Sequence, residues 1–185
     1  MNKAERRNFQ KVLTTYLKVI HEIYVEGRFR EETFYSTLEK LFEECFSFFD
    51  AEERIKVRIL AKQTEVGIPD FVIRKNGEII GHIEAKIPDS NLREVERSEQ
   101  IQRYRNALPN LIVTNFLEFR RYRNGEFVEK VELCSPSTLH TLKPSTPENV
   151  DSFFELLSEY YSFSTPEIRT ASELAITLAD KTKFS

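Results

Sequence analysis

Tryptophan is absent from this 185-residue chain, methionine occurs once and glycine only five times. So few glycines, none of them clustered, exclude a low-complexity or linker-dominated polypeptide. The two cysteines, Cys45 and Cys134, stand far apart with no CxxC or Cys/His ligand spacing, so neither a disulfide framework nor a zinc ribbon is expected. No charged-then-apolar N-terminal segment precedes a cleavage site, and with free thiols this makes a cytoplasmic protein the expectation. No apolar run approaches the roughly 20 residues of a membrane-spanning helix, so no membrane partner is expected. Positive charge is not in excess either. The formal net charge is -3, and any nucleic-acid contact has to come from local basic patches.

What is present is 40% hydrophobic and 31% charged residues, with 15 phenylalanines and 7 tyrosines, a composition for one globular domain able to bury a sizeable core. Helical spacing runs through Phe9, Val12, Leu13, Tyr16, Leu17, Ile20 and Tyr24, and Gly27 closes it as a C-cap would. A second helix is predicted in "EETFYSTLEKLFEECFSFF", with Phe34, Leu38, Leu41, Phe42 and Cys45 on one side and an acidic first turn suited to the helix dipole. The period then changes to that of strands in "IKVRILAKQ", "DFVIRK" and "EIIGHIEAKI". Asn76-Gly77 between the last two is a strong hairpin signal, because both residue types tolerate positive φ. Residues of about 90–108 are helical in composition until Pro109 stops them. Strands "NLIVTN" and "LEFRRYR" follow, and Asn124-Gly125 leads into "EFVEKVELC". A stretch marked by Pro136, Pro144 and Pro147 then connects to two terminal helices, "NVDSFFELLSEYYSF" and "IRTASELAITLADKTKF". The predicted order is ααβββαβββαα, a sheet flanked by helices and without internal repeats.

The chemistry concentrates in "GIPDFVIRKNGEIIGHIEAK". Alternation along a strand puts Glu84 and Lys86 on one surface and Ile83, Ala85 and Ile87 on the other. A hairpin turning at Asn76-Gly77 brings Asp70, at the start of one strand, beside Glu84 near the end of its partner. Two adjacent carboxylates repel unless a cation sits between them. Hard oxygen ligands of this kind suit Mg²⁺ or Mn²⁺, with Lys86 placed either to orient or to deprotonate a water. The ordinary alternative for each piece is plain: Glu84 and Lys86 as a solvated ion pair, Glu31 as a favourable charge in a helix's first turn, His82 as a structural histidine.

Pro69-Asp70 followed by Glu84-Ala85-Lys86 resembles the motif of the PD-(D/E)XK nucleases, and Glu31, Gln100 and Tyr104 extend the likeness. Glu31 resembles the glutamate that opens the motif's first helix in the nuclease domains of type IIG, type ISP and type I restriction enzymes, and Gln100 and Tyr104 resemble the QxxxY element of a later helix. "LIVTNFLEFRRYRNG" is similar to the strand pair that follows, and "ASELAITLADKTKF" to the connector that leads toward a methyltransferase region. The resemblance implies an α/β restriction-endonuclease-like fold, a central mixed sheet flanked by helices, with residues 1–135 as nuclease domain and 136–185 as a C-terminal helical connector. It implies a metal-dependent endonuclease acting on double-stranded DNA as the cleavage module of a restriction-modification enzyme, joined to methyltransferase or recognition regions. Asp70, Glu84 and the Ala85 carbonyl would bind Mg²⁺ (Mn²⁺ possible), Lys86 would stand near the attacking water, and Glu31 and Gln100 would complete the catalytic set. Gln100 and Tyr104, on one helix face, would brace Lys86 or a phosphate. Arg103, Arg120, Arg121 and Arg123, with Arg93, Arg97 and Arg105, are candidates for phosphate contacts or for exposed charge balancing the acids. A stand-alone repair or recombination nuclease, or an inactive nuclease fold that only binds DNA, are the alternatives. With no helix-turn-helix, zinc-finger or basic-zipper signature, sequence readout is expected to lie elsewhere.

Overall fold

The computed structural model describes residues 1–50, 55–60 and 67–164. Helix α1 (Lys3–Glu26) starts six residues before the apolar stripe does, because Asn2 and Glu5 form a capping box: the Asn2 side chain accepts from the Ala4 and Glu5 amides, and Glu5 accepts from the Asn2 amide. Gly27, at φ 70°, closes it as predicted. The acidic turn predicted to open the second helix is a separate 3₁₀ turn, Glu31–Phe34, which runs directly into α2 (Tyr35–Phe46).

Six strands follow in a single sheet: β1 (Ile55–Ile59), β2 (Phe71–Lys75), β3 (Glu78–Ala85), β4 (Asn110–Thr114), β5 (Glu118–Arg123) and β6 (Glu126–Glu132). They lie side by side in chain order, every pair antiparallel except β3 and β4, which run parallel. A parallel pair needs a crossover. Here the crossover is helical, but in two pieces: α3 (Leu92–Val95), capped by Asn91, and α4 (Glu99–Ala107), capped by Ser98. Both hairpin turns are as predicted, with positive φ at Asn76 and Gly77 and at Asn124 and Gly125.

Strand alternation sends two sets of side chains to two layers. On one face Phe71, Ile83, Ala85, Ile112, Phe119 and Val131 join the large core under α1, α2 and α5 (Val150–Tyr161). On the other, Leu111, Val113 and Tyr122 pack with Leu92, Ile101 and Tyr104 of the crossover. Helix α5, grouped by sequence with the C-terminal segment, is part of the large core: Phe153, Leu156, Leu157 and Tyr160 are fully buried, each worth roughly 1.5–3 kcal/mol relative to exposure. Tyr160 Oη donates to the His82 carbonyl at 2.9 Å, and Asn110 Nδ2 donates to the carbonyls of Ile80 and Tyr160. Gly81 leaves room for this lock, since a Cβ there would collide with Tyr160 Oη. The expected connector helix at 168–184 lies outside the described residues. Among the described residues no helix is long and apolar enough to cross a membrane.

Candidate active site

The pairing of β2 with β3 sets Phe71 opposite Ile83, which brings Asp70 alongside Glu84 as the hairpin argument requires. Asp70 is pinned from both ends. Its carbonyl accepts from the Leu60 amide at 2.7 Å; its Oδ2 accepts from the Ala85 amide at 2.8 Å and its Oδ1 from the Tyr35 hydroxyl at 2.6 Å. Tyr35 stands 4.9 Å from the Phe71 ring, centroid to centroid, and its hydroxyl also lies 3.0 Å from Glu31 Oε1. One phenolic proton therefore serves two carboxylates, and Asp70, at the shorter distance, holds the larger share of it. Burial, then the Asp70 hydrogen bond, pushes the Tyr35 phenol far above its ordinary value, so it stays a donor.

Glu84 is buried to 2% exposure on the face of β3 that looks toward α4, the same face as Val113 of the neighbouring strand. Lys86 Nζ donates to its Oε1 at 2.6 Å, while Oε2 is buried with no hydrogen-bond partner. Burial, reinforced by the Asp70 carboxylate, outweighs the ammonium and lifts Glu84 to about 7. Burial opposes the charge on Lys86, but Glu84, with Glu31 and Asp70 behind it, holds the lysine above its ordinary value. The Lys86 amide donates to the Thr114 carbonyl at 2.8 Å, so the end of β3 is fastened to β4. Gln100 Oε1 lies 3.4 Å from Lys86 Nζ, and Gln100 Nε2 donates to the Tyr104 hydroxyl at 3.2 Å. The structure thus gathers Glu31, Asp70, Glu84, Ala85, Lys86, Gln100 and Tyr104 in one place.

Tyr104 is 3% exposed and packed in the smaller core, where its hydroxyl faces Gln100. In this arrangement Tyr104 braces Gln100, which in turn lies against Lys86. Gly67 permits the close approach of the chain to this helix, because a Cβ there would lie 2.9 Å from Tyr104 Oη.

The arginine run on β5 is engaged within the fold. Alternation along β5 divides it between the two faces of the sheet. Arg120, paired in register with Val113, is buried at 5% and bound to Glu118 and Glu96. Arg121, paired with Ile112, is buried at 6% on the other face and bound to Glu129. Arg123 donates to the Glu159 carbonyl and lies over the Phe163 ring. All three are engaged internally, and none offers an open guanidinium beside the carboxylates. Arg103 is exposed on α4 next to Tyr104. His82 shares the face of Glu84; its Nδ1 is buried without a hydrogen-bond partner, and burial, then the Arg74 charge, lowers its pKa.

Sequence reasoning did not single out Tyr35. The only signal was its place four residues after Glu31, and its role depends on a strand that arrives 35 residues later.

The donor set fits a hard divalent cation. Two carboxylates side by side, one with a buried and unpartnered oxygen, leave an electrostatic deficit that a metal would remove. Among the described residues no group of three or more His, Cys, Asp and Glu forms a protein cage, and Mg²⁺, which keeps several of its waters and takes one or two carboxylates, asks for none.

No curated protein matches the chain. Of solved structures, it is similar to the cryoEM structure of the DrdV–DNA complex, with a TM-score of 0.59 and 16% sequence identity over 86% of this chain and 14% of that one. The likeness shows a shared fold, and the chain spans only that small share of the larger protein's length. Residues 11–128 match the family described as the type I restriction enzyme R protein N terminus. That match covers well over half of the sequence, and the chain belongs to this family.

Proposed function

We propose that the chain is the nuclease module of a restriction system and hydrolyses phosphodiester bonds of double-stranded DNA in a Mg²⁺-dependent reaction, with Mn²⁺ as a substitute. The observation that carries this reading is the buried Asp70–Glu84 pair with its unpartnered Glu84 Oε2, set against the Lys86 ammonium. Family membership supports it, and so does the DNA held by the similar structure.

Asp70, Glu84 and the Ala85 carbonyl would hold the ion. When bound, it supplies Lewis-acid polarisation of a phosphoryl oxygen and of the attacking water. The chain's own residues do the rest. Tyr35 and the Ala85 amide fix both oxygens of Asp70 before any ligand arrives, so little reorganisation remains for the reaction. Lys86, steadied between Glu84 and Gln100, presents an N–H to orient the water and to offset charge growing on the phosphoryl oxygens. Gln100 is held in turn by Tyr104. Glu31 adds negative charge behind Tyr35, which favours retention of a cation in the site. Linkage to methyltransferase or recognition regions belongs to the same proposal.

A plasmid-nicking assay tests this. The wild type should nick supercoiled DNA in Mg²⁺ or Mn²⁺, while Asp70→Ala should not. The larger, looser Ca²⁺ should support binding without cutting. Nicking by Asp70→Ala, or by the wild type in excess chelator, would overturn the assignment.

A further inference from the structure

The face of the sheet that carries Asp70 and Glu84 is covered by α3 and α4 over β4 and β5, through Leu111, Val113 and Tyr122. Toward β1 and β2 no helix of the described residues covers it in this way. Strand register settles which side chains lie there. Lys56 pairs with Arg74, and Arg58 pairs with Val72, which pairs in turn with His82. Val72 and Arg74 alternate along β2 and His82 and Glu84 along β3, so Lys56, Arg58 and Arg74 share the face of Glu84, with Asp70 at the residue before β2. Lys56 and Arg58 are exposed, Arg74 is half-buried, and the three line one recess with the Asn76-Gly77 turn.

Arg74 is anchored, its Nη1 donating to the Gly77 carbonyl at 2.8 Å, which holds the guanidinium at the turn. Among the described residues no acid forms an ion pair with Lys56, Arg58 or Arg74, in contrast to Arg120 and Arg121. Cations on one strand at alternate positions repeat every ~6.6 Å, a spacing suited to a chain of evenly placed anions.

We infer that Lys56, Arg58 and Arg74 form a phosphate-binding strip that seats the backbone of duplex DNA on the β1–β2 side of the cleavage site. The inference rests on the proposed nuclease reading for its partner and extends it by naming where the backbone lies. The strip is continuous with the site, since Asp70 directly precedes β2, which carries Arg74, and its charge is complementary to DNA in a chain whose net charge is -3. Phosphate contacts of this kind position the duplex without reading its sequence. They also explain how a chain whose β5 arginines are internally engaged holds a polyanion beside two carboxylates.

The test is the salt dependence of binding. Fluorescence anisotropy of a labelled duplex is measured with the full chain in Ca²⁺ across a series of monovalent salt. Each phosphate contact neutralised by a cation contributes about 0.9 to the slope of log K against log salt, so Lys56→Gln/Arg58→Gln should flatten the slope by roughly 1.8. Arg7→Gln/Lys11→Gln, exposed on α1 at the opposite face of the sheet, should leave it unchanged. An unaltered slope in the first variant, with DNA still bound, overturns the strip and leaves the nuclease reading standing. A flattened slope with no nicking by the wild type in Mg²⁺ does the reverse. Failure of the wild type to bind any duplex overturns both.

Discussion

Replacing Glu84 with glutamine is expected to remove cleavage and to make the protein more stable. Burial, with the Asp70 carboxylate, lifts Glu84 from 4.5 to about 7 despite the attraction of Lys86. An unfolded chain ionises this group near 4.5, whereas the folded protein keeps its proton until about 7. Between those values the folded state binds more protons, so stability falls as pH rises through the window, and the loss is complete above it. At 1.36 kcal/mol for each pKa unit, the penalty above pH 7 is about 3 kcal/mol. Glutamine has the shape and neutrality of the protonated acid and escapes the penalty. In chelator at pH 8, Glu84→Gln should therefore melt roughly 6–12 °C above the wild type for a chain of this size. The two should converge as the pH is lowered toward about 4.5. Saturating Mg²⁺ should raise the wild type far more than the variant and so narrow the gap at pH 8. Thermal unfolding followed by circular dichroism at several pH values reads all three effects. A variant no more stable than the wild type at pH 8 in chelator, or a gap that persists unchanged into acid, would refute the electrostatic account of this carboxylate.

Tyr35→Phe takes the 2.6 Å donor from buried Asp70. It should cost about 1.5–3 kcal/mol of stability and weaken Mg²⁺ binding in calorimetry, and unchanged Mg²⁺ affinity would show that Tyr35 does not position the carboxylate. Arg120→Ala leaves Glu96 and Glu118 without their buried partner and should destabilise by about 3–5 kcal/mol. If that variant keeps its melting temperature and loses DNA affinity instead, Arg120 contacts phosphate after all. Gly81→Ala drives a methyl into Tyr160 Oη and should cost about 1–3 kcal/mol by overpacking; a melting temperature equal to wild type would mean that α5 yields without strain.

The strands, both hairpins and the core carboxylates were legible in the sequence because each obeys a local rule. Asn-Gly supplies two residues that accept positive φ, and period-2 alternation assigns Glu84 and Lys86 to one side without knowledge of the neighbours. Local rules fail where the outcome depends on what arrives from elsewhere. The β5 arginines read as a basic patch in one dimension, but alternation divides them and acids from α3–α4 and β6 engage them. Tyr35 looks like a core aromatic until a distant strand places Asp70 against its hydroxyl. The start of α1 was missed for a different reason: the capping box at Asn2 and Glu5 extends the helix through a polar turn that carries no hydrophobic signal. Lys56, Arg58 and Arg74 were hidden in the same way as the β5 run, since only strand register puts them on one face.

The parallel seam between β3 and β4 bears on how the molecule comes into being. Each half of the sheet, β1 to β3 and β4 to β6, is antiparallel throughout, whereas the seam joins strands separated by the whole α3–α4 segment. Pairings of that span form late, because the loop must be closed before any contact rewards it. Asp70 and Glu84 meet within the first meander, but the Gln100 brace and the Thr114 anchor of Lys86 exist only after the seam has zipped. A chain emerging from the ribosome therefore carries its paired acids before it carries a positioned lysine, which is a property of the whole sheet and not of either half.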